Sequence, residues 1–272
     1  MKTIYHYITV VCLLFACFAC DQEEVPTFHE ERGINFVLYN VYYDEYTDDY
    51  ENLESTYNFY EDYAKQGSLI LAPCTLYVGL QLEGTFSDLP VKVRIKSEAV
   101  EGYEMPDITL PEEVEIAAGE YRTHFPVICR QPVEYEKEFK VKLSIDYEAS
   151  DVVPGTKERQ SYVLTITDET IWKDMHVENA EEWNTYYSAY LGTCGGKKIR
   201  FIFVDFASYG PDYNYAWVCN VYNYTKIGGY YEWYGFYNYG YYLYADLSTW
   251  NSTHDTPLCE PDGTPIEFPD IY

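Results

Sequence analysis

Short apolar runs alternating with polar residues, turn residues between the runs, and a change of period after residue 168 predict a mainly β chain. The expected architecture is an N-terminal immunoglobulin-like β-sandwich over residues 33–168, then a small aromatic-rich α+β domain over residues 169–272. With 272 residues at 47% hydrophobic composition, the chain can bury a real core in one or two such units.

Residues 34–41 are the first strand-like run. Residues 44–62 follow as an acidic stretch without one Lys or Arg, and read as a solvated loop. Their spacing is not that of an EF-hand, and no Gly stands at the turn position a calcium loop needs. Leu76, Val78, Leu80 and Leu82 then alternate with other residues and stop at Gly84. Val91, Val93 and Ile95 alternate with Lys92, Arg94 and Lys96, which predicts one half-buried strand. Val114 and Ile116 lead into the turn Ala117-Ala118-Gly119-Glu120. Three more strands follow, carried by Phe125 to Cys129, by Phe139 to Ile145 and by Tyr162 to Ile166. Cys129 falls on the apolar parity of its strand, so it is expected to be buried.

After residue 168 the period changes. Trp183, Tyr186, Tyr187, Tyr190 and Leu191 share one side of a helix over residues 178–191. Glu178, Glu181 and Glu182 favour the positive end of its dipole, and Gly192 can close it. Residues 199–206 are apolar on both parities, as in a strand covered on both faces. Residues 215–225 and 230–239 read as two aromatic strands around a turn at 226–229. Leu243, Leu247 and Trp250 fit i, i+4, i+7 of a closing helix, and residues 260–269 read as a short hairpin.

The first 32 residues bear on location. Lys2 and the mostly apolar run to Phe18 read as a signal peptide over residues 1–19, too short for a span of about 20 residues. Cys20 follows, then Asp21-Gln22-Glu23-Glu24 in an acidic tether that runs to residue 32. This arrangement looks like a bacterial lipoprotein signal with Cys20 as the acylated residue. Cys17, three residues after Leu14, is the rival site, and an ordinary secretory signal is the plainer alternative. Two or more acyl chains give firm anchoring, because one alone binds reversibly.

The chain carries 45 acidic against 18 basic residues, a net charge of −27. Such a surface repels nucleic acid and anionic lipid, so nucleic acid is not an expected partner. Beyond the anchor region the cysteines are Cys74, Cys129, Cys194, Cys219 and Cys259. They form no CxxC pair or zinc-type Cys/His cluster, so neither metal nor cofactor is expected. Their odd number leaves at least one thiol free, and their pairing stays open. No GxSxG or HExxH occurs, and the expectation is a protein that is not an enzyme. A glycoside hydrolase using two carboxylates is the enzymatic alternative.

The candidate binding residues lie in the Tyr-rich segment. Period two buries Tyr231, Trp233, Tyr237, Tyr239 and Tyr241 and leaves Tyr230, Glu232, Tyr234 and Phe236 near solvent. The same argument on the preceding strand exposes Tyr222 and Tyr224. Rings mixed with amide and carboxylate groups suit sugar stacking or peptide recognition. They equally suit a protein–protein interface, or a wet rim of strand-forming tyrosines.

Several short marks carry a resemblance along nearly the whole mature chain. They are Val78-Gly79-Leu80-Gln81-Leu82-Glu83-Gly84, Val114-Glu115-Ile116-Ala117-Ala118-Gly119, and Trp183 with Tyr190-Leu191-Gly192. Lys198-Ile199-Arg200-Phe201 and the ending from Asp262-Gly263 to Phe268-Pro269 complete the set. In these the chain resembles a Bacteroidetes lipoprotein family known only as a domain of unknown function, number 4843. The resemblance implies an accessory part of a starch-utilisation-type uptake system in the outer membrane. Its implied partners are a TonB-dependent transporter and that transporter's lipoprotein partner. In that setting the acidic residues after Cys20 resemble a surface-export signal, implying a lipid-anchored protein facing the cell exterior. The density of Tyr and the five cysteines depart from the family pattern, and the family offers no catalytic residues to carry over.

Overall fold

Twelve strands and five α-helices are defined in a computed structural model that describes residues 32–47, 53–84 and 87–270. The expected signal peptide, Cys17, Cys20 and all but the last residue of the tether lie outside the described residues.

One sheet is built from β1 (Gly33–Asn40), β4 (Cys74–Glu83), β7 (Ile108–Thr109), β9 (Arg122–Cys129) and β11 (Val153–Pro154), in the order β11-β1-β4-β9-β7. The short β2 (Glu45–Thr47) adds to β1. The facing sheet has the order β3-β12-β10-β6, from β3 (Glu54–Asn58), β6 (Ile95–Ala99), β10 (Glu138–Ile145) and β12 (Ser161–Thr167). Pairing is antiparallel except for β1 with β11 and β3 with β12. A two-stranded ribbon of β5 (Val91–Val93) and β8 (Val114–Ile116) completes the β half. This is the immunoglobulin-like sandwich that the alternation predicts.

The alternation works because a pleated strand sends successive side chains to opposite faces. Val78, Leu80 and Leu82 of β4 meet Val141 and Leu143 of β10 and Leu164 and Ile166 of β12 in one core. Each such side chain contributes roughly 1.5–3 kcal/mol when fully buried. Phe36 of β1 and Tyr162 of β12 join the two sheets, ring centroids 6.1 Å apart. Cys129 is fully buried, as its parity requires.

Two expectations in the β half are corrected. The run from Val91 to Ile95 is not one strand. It breaks at Arg94, so that β5 pairs with β8 while β6 joins β10 in the facing sheet. Arg94 holds the break, its N–H donating to Ser150 Oγ at 2.9 Å and its carbonyl accepting from the Asp146 N–H at 2.9 Å. The described residues of the 44–62 stretch, 44–47 and 53–62, are not simply a solvated loop either. They supply β2, β3 and a 3-10 turn, Phe59–Glu61, that leads into α1 (Asp62–Gln66). Their acidic composition hid Phe59 and Tyr60, both fully buried.

The C-terminal half is helical, with α2 (Ala180–Leu191), α3 (Gly196–Ser208), α4 (Tyr215–Ile227) and α5 (Phe236–Thr253). Helix α2 lies where its period predicts, with Asn179 Oδ1 capping the Glu181 and Glu182 N–H groups at 3.0 Å each. The strands expected at 199–206, 215–225 and 230–239 are corrected to helix. Residues 199–206 are apolar on both parities because α3 is buried on every side, a pattern that a surrounded helix shares with a covered strand. Helix α4 starts at Asn214, whose Oδ1 accepts from the Trp217 N–H at 3.2 Å, and buries Val218, Val221 and Tyr222 at helical spacing. Helix α5 contains the expected closing turns at Leu243, Leu247 and Trp250 but begins much earlier, at Phe236. Gly235 allows that start to press on α4, because a Cβ there would lie 2.9 Å from the Thr225 backbone. The ending is a hairpin as expected, with Glu260 N–H donating to Thr264 O and Ile266 N–H to Leu258 O.

The two halves share one apolar cluster. Tyr60 meets Phe203 of α3 edge-on at 5.3 Å. At the same seam Arg200 of α3 is fully buried and donates from Nε and Nη2 to Asp168 Oδ1, just past β12. Tyr63 of α1 donates to the other carboxylate oxygen at 2.5 Å, and Gln131 Nε2 donates to the Tyr63 hydroxyl at 2.6 Å. The Tyr135 ring lies 4.1 Å from the guanidinium carbon. This network fixes α3, and with it Phe206 near the helix's C-terminal end, against the sandwich.

Candidate functional site

Helix rather than strand redistributes the candidate residues, because spacing of three to four, not two, now decides which share a face. Tyr222 and Phe236, expected near solvent, are both fully buried. Their rings lie 4.8 Å apart edge to face, and Tyr187 of α2 lies 5.0 Å from Tyr222. They are core residues and form no part of a binding face. Tyr224 and Tyr234 do come together, at 5.8 Å, and Tyr231 stacks on Tyr224 at 5.5 Å with planes 14° apart. Tyr234 is 54% exposed, as expected. Tyr230 and Glu232 lie in the 3-10 stretch Gly229–Tyr234, and their side chains are outside the described residues.

Of the five residues expected on the buried face, Tyr239 is half-buried against the core and the other four move the other way. Tyr231, Trp233, Tyr237 and Tyr241 are all exposed, Trp233 at 67%. Trp233 and Tyr237 meet edge-on at 5.7 Å. Tyr242 and Tyr244 extend this aromatic surface along α5.

A cleft borders that surface. It has a volume of about 260 Å³ and is lined by Phe206 of α3, Tyr209 and Tyr213 of the α3–α4 connection, and Tyr239 and Tyr242 of α5. Phe206 forms the buried floor, with Tyr239 edge-on at 5.8 Å. Trp217 of α4 wedges between Tyr213 and Tyr239, at 4.8 and 5.1 Å. A shallower depression beside Asn238 and Tyr241 continues the cleft across Tyr239 and Tyr242. Sequence reasoning missed Phe206, Tyr209 and Tyr213, which lie far from the tyrosine run. The signal that could have found them was Asn214 as an N-cap, which turns residues 215–227 into a helix and folds 209–213 back.

Polar groups edge the aromatic wall. The Tyr209 hydroxyl donates to Asp246 Oδ2 of α5, and its pKa is raised, first by burial and then by that bond. Asp205 of α3 is buried, and its Oδ2 has no hydrogen-bond partner among the described residues. Burial, helped by the nearby Asp246 charge, pushes its carboxyl up to about 7. The cleft and the depression beside it offer flat ring faces, tyrosine hydroxyls and one amide, at Asn238. That is chemistry for holding the apolar face and hydroxyls of a neutral ligand.

A second cavity of about 340 Å³ lies between the loop at residues 192–195 and the C-terminal hairpin. Glu260 closes its wall by accepting from the Lys197 and Lys198 N–H groups at 2.8 and 2.9 Å, capping α3. Lys198 Nζ donates to Leu191 O and Thr193 O at 3.0 and 2.7 Å. Burial lowers its pKa against the opposing pull of Glu260. Burial likewise pushes the Cys194 thiol up to about 12, which keeps it protonated and unreactive at neutral pH. Among the described residues no group of three His, Cys, Asp or Glu side chains is placed to hold a metal ion. No described helix is long and apolar enough to cross a membrane.

No protein-family model matches the chain, and no curated protein does. Among solved structures it is similar to the apo-form Calx CBD1 domain, at 11% identity and a TM-score of 0.33, over 52% of this chain and 100% of that one. A protein of unknown function from Bacteroides ovatus gives 11% identity and a TM-score of 0.32, over 51% of this chain and 47% of the other. The Bacteroides thetaiotamicron EndoBT-3987 structure, with a Man5GlcNAc product, gives 8% and 0.31, over 43% of this chain and 28% of that one. This chain therefore spans about half of the first Bacteroides protein and less of the second.

Proposed function

We propose that this chain is a non-enzymatic, lipid-anchored accessory protein of a TonB-dependent nutrient uptake complex in the outer membrane. In this reading Cys20 carries the lipid, the sandwich stands near the membrane surface, and the aromatic face of α5 docks on the transporter or its lipoprotein partner. The observation that carries it is the run of exposed rings at Trp233, Tyr234, Tyr237, Tyr241 and Tyr242. Aromatic side chains concentrate at interface centres because they offer large contact area at little entropic cost. Mild detergent extraction followed by co-purification tests the reading. The transporter should come down with the wild-type chain and be lost with Trp233→Ala/Tyr237→Ala. Recovery of the wild-type chain alone would overturn it.

A second reading, capture of a glycan or oligopeptide, is favoured by the concavity over Phe206, which a flat docking face does not need. Calorimetry against neutral oligosaccharides and peptide pools separates the two. Tyr239→Ala and Tyr242→Ala should weaken any binding at least tenfold, and unchanged affinity removes the cleft from consideration.

A further inference from the structure

Cys74 opens β4 and Cys129 closes β9, and the antiparallel register sets the two residues directly opposite each other. Residues so paired have Cα atoms about 4.5–5.5 Å apart. Protein disulfides span roughly 4.4–6.8 Å between Cα atoms. Opposed residues also send their side chains to the same face of a sheet. Both thiols are free, and the Cys129 Sγ–H donates to the Val127 carbonyl at 3.7 Å. Cys129 is fully buried, while Cys74 is half-buried and so the more accessible residue of the two. Among the strand registers of the described residues, no other pairs two cysteines.

We infer that Cys74 and Cys129 are a redox pair that closes to a cross-strand disulfide when the chain meets a small-molecule or protein disulfide oxidant. The roles follow from position. The Cys74 thiolate attacks one sulfur of the oxidant, forming a mixed disulfide and releasing one thiolate. Cys129 then gives up its proton, its sulfur attacks the Cys74 sulfur, and the second thiolate leaves. The protein loses two protons and two electrons, and the oxidant disulfide is reduced to two thiols. The electrostatics of the pair favour the same order: the neighbouring Cys129 holds the Cys74 thiol below its usual range, while Cys74 and burial push Cys129 up. The bond joins neighbouring strands already in register, so closure asks for no change of topology. The chemistry is independent of the aromatic face. Only its occurrence in the cell rests on the proposed export, because disulfides persist in oxidising compartments.

The test uses the purified mature chain in an oxidising glutathione mixture, quenched with acid, alkylated in denaturant and digested without reduction. Mass spectrometry should find a peptide linking Cys74 to Cys129. Cys129→Ser should trap a glutathione adduct on Cys74, whereas Cys74→Ser should leave Cys129 unmodified. Recovery of both wild-type cysteines as alkylated thiols, or of either bonded to a different cysteine, would overturn the assignment. If a serine variant is insoluble, the wild-type peptide decides alone.

Discussion

Arg200 grips Asp168 with the side edge of its guanidinium, Nε and Nη2 donating to the same carboxylate oxygen at 2.8 and 2.7 Å and neither side chain exposed. Nη2 also reaches the Asp168 carbonyl at 2.6 Å, so one guanidinium serves side chain and backbone together. A buried pair of this kind is costly to break from one side, because the survivor is left charged and dry.

Arg200→Ala and Asp168→Ala should each lower the unfolding free energy by about 3–5 kcal/mol. Urea denaturation checks this. The double variant Arg200→Met/Asp168→Leu should cost clearly less than the two single losses together, since no unpaired charge remains. Strict additivity would mean that the pair is not coupled.

Asp205 gives a pH-dependent prediction. Its folded pKa of about 7 lies above the ordinary carboxylate value, so the folded state holds a proton that the unfolded state has released. Stability is therefore lost as pH rises between about 4 and 7, and the penalty is fully present above that window. Asp205→Asn should be more stable than wild type at pH 8, by up to about 4 kcal/mol. At pH 3.5 the two proteins should unfold at nearly the same urea concentration. A gap that is constant with pH would refute this account.

Phe236 and Tyr234 are two residues apart and should behave oppositely. Phe236→Ala empties a fully buried site between Tyr222 and Tyr187 and should cost about 3–5 kcal/mol. Tyr234→Ala, at an exposed position, should stay within about 0.5 kcal/mol of wild type. Thermal unfolding of the two variants is enough to compare them.

Glu260 caps α3 from 63 and 62 residues away, through the Lys197 and Lys198 N–H groups. Glu260→Ala should lower stability by about 1 kcal/mol. Hydrogen exchange should speed up at those two amides first, ahead of the rest of α3.

The β half was legible because one-sided burial writes itself into sequence as alternation, as in Val78-Leu80-Leu82 and Phe139-Val141-Leu143-Ile145. The helical half was not, apart from α2 and the last turns of α5. Tyr and Trp dominate both parities from 230 to 242, so period two and period 3.6 fit equally well, and aromatic strand preference tipped the reading. Local capping held the better signal, in Asn214 before α4 and Gly228 after it. The candidate site suffered most from this error. Tyr234 is exposed as expected and Tyr224 is half-buried, but Tyr222 and Phe236 were placed at the surface when they are core. The cleft depends on Phe206, Tyr209 and Tyr213, which only tertiary packing brings beside Tyr239 and Tyr242.

The seam at Arg200 bears on how the chain can be divided. The last strand ends at Thr167 and the first helical turn begins at Trp172, so residues 168–171 look like a natural place to cut. A fragment ending there would keep Asp168 and lose its guanidinium, and would lay Tyr60 open to water where Phe203 now covers it. The complementary fragment would carry Arg200 with no carboxylate and an α3 built for enclosure. The sandwich and the helices are thus separate in secondary structure but interdependent in folding, and each half should be soluble only in the other's company.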